Sequence, residues 1–363
     1  MSDLWVAFVA IVVATLAVGA LSLSLSVALF EFDRRKRAAR LVVVPEILTR
    51  LGDTDPNWAA WYGDLTSIER YVARDTVASY LRTVRGRERE QLLVFTDAIG
   101  LDTHARGLLS SHTVVNTLRG LVWLTLLERA VSTRRLRTHC TGHAVTRAGA
   151  AKLLASSHPP GARRDGTALL CWSGDERLSV YGLDTLYRLN EHDATALLTL
   201  AAAEGAWWND DLLVQALTVL GYCQAAETLE HFEWLPALLE HDAPQVRAAT
   251  LVALSQHGWR EGIRERVDVE ATLADPDPQV RIASYELFGR WGDSASVGWL
   301  RYAVRSDPDD RARLAAARWL VRAHAGRPET AAGEEAKTDE TIRTLEWARA
   351  EIKTPRRVAT GWS

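Results

Sequence analysis

An all-α fold, a stack of helical hairpins behind one long apolar N-terminal helix, is predicted by three observations. Residues 4–30 form an apolar run without a single charge. Residues from roughly 140 to 326 repeat with a period of about 33, the scale of one helical hairpin. Within each period, apolar residues recur at helical spacing between Asp/Pro turns.

The N-terminal run, LWVAFVAIVVATLAVGALSLSLSVALF, is long enough to cross a bilayer. At about 1.5 Å per residue it reaches about 40 Å, against a hydrocarbon core of about 30 Å. Arg34, Arg35, Lys36, Arg37 and Arg40 follow it, and only Met1, Ser2 and Asp3 precede it. Basic residues stay on the cytoplasmic side, while Glu31 and Asp33 count for little. The expectation is a single-pass inner (cytoplasmic) membrane protein with its N-terminus outside and its C-terminal domain in the cytoplasm. The basic flank is expected to hold anionic headgroups as well. A cleaved secretory signal would carry its positive charge before a shorter apolar stretch. An amphipathic surface helix would need a polar face, which the run lacks. Ala20, Ser24 and Ala28 fall four apart, as do Ser22 and Ser26. That spacing lets helices approach closely and offers a route to a homo-oligomer through this helix.

With 363 residues, 47% of them apolar, and a net charge of −3, the chain can build one large or two ordinary domains behind the helix. The near-neutral balance argues against a nucleic-acid partner. Cys140, Cys171 and Cys223 are odd in number and scattered, which suits a reducing cytosol and no disulfide framework. Arginine outnumbers lysine 39 to 4, as expected of a GC-rich bacterial genome.

The repeat is clearest in DAPQVRAATLVAL (242–254), DPDPQVRIASYELF (275–288) and DPDDRARLAAARWL (307–320). Each has an Asp/Pro turn, an arginine and an alanine two positions on. Arg247, Arg281 and Arg313 are 34 and 32 residues apart. The same period reaches 209–221 and 174–189, where Val214 and Ser179 replace the arginine, and then 142–154, with Arg147 in register. Residues 112–130 read as a degenerate seventh unit. In the copy at 234–258, WLPALLEHD is expected to form a short helix and QVRAATLVALSQHG a second. Asp242 is placed to cap that second helix and Pro244 to open it, while Gly258 and Gly292 sit where helices should end. One hairpin cannot bury its own apolar face, so neighbours must stack.

The motif D-x-x-x-V-R-x-A-A, in three in-register copies, resembles HEAT repeats, particularly the short HEAT-like type of phycobilisome lyases. The resemblance is best over 234–326 and implies a helical-hairpin solenoid that serves as a binding surface. It also implies an alternative, a lyase-like enzyme joining a tetrapyrrole to a cysteine.

No residue is assigned a catalytic, cofactor-binding or metal role. There is no glycine-rich phosphate loop, nucleophile elbow or H-E-x-x-H. His139-Cys140-Thr-Gly-His143 has metal-ligand types, but Gly142 interrupts it and no second pair lies nearby. Asp53 and Asp55 form a D-x-D without the strand–helix alternation of a nucleotide-sugar fold. Arg247, Arg281 and Arg313 are read as a structural ladder, each facing the acid of its preceding turn: Asp242, Asp277 and Asp310. Trp207 and Trp208, adjacent in a turn between helices, are read as an exposed partner-binding pair. After residue 326 comes a polar linker, then an amphipathic helix over 338–353 with Ile342, Leu345 and Ile352 on one face, then a disordered tail. The expected domains are 1–33, 34–139, 140–326 and 327–363. The expected function is a non-catalytic, membrane-tethered adaptor that binds a membrane-associated protein partner, such as an envelope or polysaccharide assembly complex.

Overall fold

The computed structural model describes residues 2–53, 56–157, 161–224, 232, 234–256, 261–324 and 339–353. These hold nineteen α-helices, short 3-10 turns and no strand. The chain forms two compact units, Met1–Arg129 and Ala130–Ser363.

In the first unit, α1 (Ser2–Leu51) is one helix of 50 residues. Among the described residues it is the one helix long and apolar enough to cross a membrane by length and composition. Its most apolar window has a mean hydropathy of 1.7 and is wholly unburied. The helix does not end at the expected boundary after residue 33. Ala39, Val43 and Ile47, four apart and therefore on one face, are buried, and this part of α1 packs on α3 (Ser67–Thr83). The basic flank is correspondingly divided. Lys36 and Arg40 reach Asp75 on α3 at 3.7 and 3.3 Å, and Arg34 and Arg35 pair with Glu31 at 3.7 and 2.9 Å. Arg37 is exposed.

The rest of this unit is α2 (Trp58–Asp64), α4 (Arg87–Ala98), α5 (Leu101–Leu109) and α6 (Val114–Leu126). A reciprocal capping box between Thr66 and Glu69 starts α3. Trp58 and Phe95 anchor the core with ring centroids 4.7 Å apart. Helices α5 and α6 form a close hairpin because Gly120 has no side chain: a Cβ there would lie 2.7 Å from the Ala105 carbonyl oxygen and 2.8 Å from the Leu109 nitrogen.

The second unit is the repeat array. Its first helices are α7 (Thr133–Cys140), α9 (Ala162–Leu170), α11 (Thr195–Glu204), a 3-10 segment (Pro236–Glu240), α14 (Glu261–Arg264) with α15 (Val269–Leu273), and α17 (Ser294–Ser306). The second helices are α8 (Ala144–Ser157), α10 (Val180–Asn190), α12 (Asp210–Leu220), α13 (Pro244–Gln256), α16 (Pro278–Trp291) and α18 (Asp310–His324). Each second helix packs on the next, α8 through α18, along one continuous apolar core. This is an all-α, HEAT-like hairpin solenoid. The array begins at Ala130, ahead of the expected residue 140, because the sequence alignment follows second helices and α7 is the first helix of the first hairpin.

Three local expectations meet the structure here. WLPALLEHD forms a five-residue 3-10 segment, not an α-helix, with Pro236 at its start. Gly292 ends α16 in the left-handed conformation at φ 65°, whereas Gly258 lies outside the described residues, as do Asp55, Trp259, the linker at 325–338 and the tail at 354–363. Helix α19 (Asp339–Lys353) covers the last repeat: it packs on α18, with Ala348 buried and Glu351 2.7 Å from Arg318.

Gly120→Ala is expected to destabilise the α5–α6 hairpin by about 1–3 kcal/mol, the usual cost of overpacking. Faster amide exchange in α5 and α6 of the full chain would show it, and unchanged protection would contradict it.

Candidate functional site

The turns that lead into the second helices line one edge of the array, and polar contacts link them in order. Four arginines make the same first contact. Arg147, Arg247, Arg281 and Arg313 each donate from Nη1 to the carbonyl six residues earlier, on Thr141, His241, Asp275 and Asp307, at 3.0, 2.8, 2.8 and 2.8 Å. Each guanidinium is thereby laid across the turn before its own helix.

The second contact differs from the sequence expectation. Arg247 makes a two-pronged pair with Asp275 at 2.8 and 3.0 Å, and Arg281 makes one with Asp307 at 2.9 and 2.9 Å. Arg147 likewise reaches Glu176 at 2.5 Å. The acids come from the following repeat, not the preceding turn. Asp242 offers Arg247 only its backbone carbonyl, at 3.0 Å, and its side chain is exposed. Asp277 caps α16 by accepting from the Gln279 amide at 2.7 Å. Only Arg313, the last of the series, pairs with the acid of its own turn, Asp310. The physical reason is the stacking: a turn's first acid lies between two repeats, where the neighbour's arginine and its own backbone can both reach it. Asp275 and Asp307 accept from the amides of Asp277 and Asp309 at 2.9 and 2.8 Å.

The Arg281–Asp307 pair is the most enclosed, with side chains 8% and 1% exposed. Tyr285 adds a hydroxyl bond to Asp307 at 2.5 Å. Burial by itself would raise the Asp307 carboxyl, but the bonds from Arg281, Tyr285 and the Asp309 amide outweigh it and hold it below its ordinary value. Asp275 is lowered in the same way, with Arg247 and the Asp277 amide overcoming burial.

The arginine is missing at Ser179 and Val214; the turns before α12 and α13 are linked by His241 and Asp210 at 3.9 Å, and those before α10 and α12 by closer contacts. The Asn209 amide and side chain donate to the carbonyls of Gly174 and Asp175 at 2.7 and 2.6 Å. The Gln215 side chain pairs with both backbone groups of Leu178 at 2.8 and 3.0 Å. The Trp207–Trp208 pair lies on this stretch and is split. Trp208 is 7% exposed and belongs to the core, so its reading as a partner-binding residue is corrected. Successive side chains in the turn point opposite ways, and Trp208 is turned inward onto Gly174, where a Cβ would come within 2.9 Å of its ring. Trp207 is 85% exposed. Half-exposed Trp172 and Tyr181 and the exposed Val180 flank the adjoining turn.

The remaining sequence candidates do not converge. Cys140 is buried while His139 and His143 are exposed, and among the described residues no group of three His, Cys, Asp or Glu side chains could hold a metal. Burial pushes the Cys140 thiol up to about 11 and those of Cys171 and Cys223 to about 12, so none is poised as a thiolate nucleophile. Sequence reasoning missed one surface. Thr133, Arg134, Arg137 and Thr138 of α7, with Arg164 and Asp165 of α9, line a cavity of about 720 Å³. Its signal was a run free of acids: residues 130–164 carry seven Arg or Lys and no Asp or Glu.

Two measurements test these assignments. Asp307→Ala leaves Arg281 buried and unpaired, a loss of about 3–5 kcal/mol in denaturant unfolding at pH 7. A carboxylate lowered in the fold stabilises above its unfolded value, and that contribution disappears as pH falls through the folded value. The gap between parent and variant should therefore narrow below about pH 4. Separately, Trp208→Ala should cost about 3–5 kcal/mol as a large-to-small core change, whereas Trp207→Ala should stay within about 0.5 kcal/mol of the parent. Equal losses would show that Trp207 is also core.

The chain is similar to the family of HEAT repeats over residues 268–333, which takes in α15, α16, α17 and α18. No curated protein and no solved structure matches the chain.

Proposed function

We propose that this protein is a membrane-tethered, non-catalytic adaptor whose repeat array holds a protein partner at the cytoplasmic face. The observation that carries the reading is the exposed aromatic edge at Trp207, Trp172 and Tyr181, placed where the arginine ladder gives way to other turn contacts. Tryptophan and tyrosine dominate the binding energy of protein interfaces, and packing does not need Trp207. The long apolar helix supplies the tether, and the basic residues after it set the orientation. Anchoring one member of a complex raises its effective concentration for other membrane-bound members. An envelope or polysaccharide assembly is therefore a suitable partner, and two copies could meet through Ala20, Ser24 and Ala28. All three cysteines are buried, so the lyase alternative would take its acceptor cysteine from another protein.

A photo-crosslinking aromatic amino acid at position 207, in membranes of the native host, tests this. The expected result is one discrete adduct, with Trp207→Ala reducing stoichiometric co-purification of the same protein. No adduct, together with turnover of a small substrate by the purified chain, would replace the adaptor with an enzyme. Reporter fusions at the C-terminus should be active only in the cytoplasm; activity only outside it would invert the topology.

A further inference from the structure

The cavity between α7 and α9 holds more positive charge than its surroundings balance. Asp165 is its single carboxylate, and three groups already use it. Thr133 donates to Oδ2 at 2.7 Å, and Arg137 and Arg164 both approach Oδ1 at 3.6 Å. Arg134, which also lines the cavity, is exposed and has no acidic partner among the described residues. Three guanidinium groups therefore face one carboxylate, an excess of two positive charges. The hydroxyls of Thr133 and Thr138 add donors at the wall.

Arg137 joins this cavity to the aromatic edge. Its guanidinium lies 6.0 Å from the centre of the Trp172 ring, and Trp172 sits in the turn that Asn209, next to Trp207 and Trp208, holds by hydrogen bonds. On the other side, Arg164 also lines a second, more apolar groove of about 630 Å³ with Ala162, Ala196, Leu200 and Ala203. Charge, stacking surface and apolar floor thus adjoin one another along the first helices α7, α9 and α11.

We infer that this surface binds an acidic segment of the partner protein, with clustered carboxylates seated on Arg134, Arg137 and Arg164 and a neighbouring apolar or aromatic residue against Trp172. Charge complementarity selects the occupant. Guanidinium groups favour carboxylates in two-pronged geometry, and two uncompensated charges match two acidic side chains. The cavity is open and its arginines stay accessible, Arg164 with 81% of its side chain exposed, while the Trp172 ring beside Arg137 offers an apolar or aromatic side chain a stacking surface that a lipid headgroup would not use. The inference rests on the adaptor reading and names the chemistry of its partner.

Fluorescein-labelled synthetic peptides titrated into the full chain in detergent provide the test. One peptide carries glutamates beside a tryptophan and a leucine, a second replaces glutamate by lysine, and a third keeps the glutamates without the apolar residues. The first should bind, and Arg134→Glu combined with Arg137→Glu should weaken it about tenfold or more, as loss of close charge pairs does. Trp172→Ala should weaken the first peptide but not the third. Affinity should fall as salt rises. Arg134→Glu alone, at an exposed position, guards against misfolding as the cause and should still weaken binding. Failure of the acidic peptide to bind, indifference to these variants, or equally sensitive binding of phosphatidylglycerol vesicles or an oligonucleotide would overturn the inference. The two readings fail separately: a protein crosslinked from position 207 whose capture ignores Arg134 and Arg137 removes the acidic segment and leaves the adaptor standing.

Discussion

The array depends on one interaction, an arginine at the start of a second helix gripping the first acid of the next turn. Each partner has backbone contacts within its own repeat but finds its opposite charge only in the neighbouring one. Asp307 is enclosed only when Arg281 and Tyr285 of the preceding hairpin are docked against it, and an enclosed carboxylate without a partner is costly. The interaction therefore favours stacking in register over stacking in general. Its net stabilisation is small compared with the apolar core, since desolvating both ions offsets most of their attraction. What it adds is specificity: a slipped neighbour would leave a charge buried and alone. At the end of the series Arg313 pairs with Asp310 of its own turn, and α19 packs on α18 at the end of the array.

The same logic explains why the middle of the array differs. At Ser179 and Val214 the grip is absent, and between the turns before α10 and α12 bonds from Asn209 and Gln215 to the backbone replace it. Gly174 is central to that substitution. Its φ of 69° favours glycine, and the Trp208 ring leaves no room for a Cβ. With Trp208 packed there and Asn209 bonded to the Gly174 carbonyl, the two residues that follow Trp207 are fixed and its side chain faces outward. A turn already held in place loses little further backbone entropy on binding, which favours an effective interface anchor.

Much of this was legible in the sequence, and the limits have physical causes. The apolar helix and the second helices announce themselves through local periodicity, and Arg147 could be placed in register from spacing alone. The acids could not, because pairs such as Arg247–Asp275 bridge 28 residues and nearer candidates, Asp242 among them, look equally good on paper. Trp207 and Trp208 defeat pattern reading for a different reason. A turn has no period, so adjacent identical residues give no sign of which is inside. The basic cavity was hidden by averaging, since a net charge of −3 over the chain conceals an acid-free stretch of local positive charge.

Helix α1 connects these features to the proposed tether. A boundary drawn at residue 33 treats the apolar segment as a passive leash, but Ala39, Val43 and Ile47 belong to the same unbroken helix and to the core of the first unit. An α-helix is stiff over this length, so the apolar segment and the first unit tilt and rotate together. Lys36 and Arg40, held to Asp75, fix that relation electrostatically on one side of the helix, while Arg37 remains exposed. Under the proposed tether, the orientation of the first unit relative to a bilayer would be a property of one helix, set by its depth and rotation. A flexible linker after residue 33 would have supplied reach alone; a continuous helix supplies direction as well.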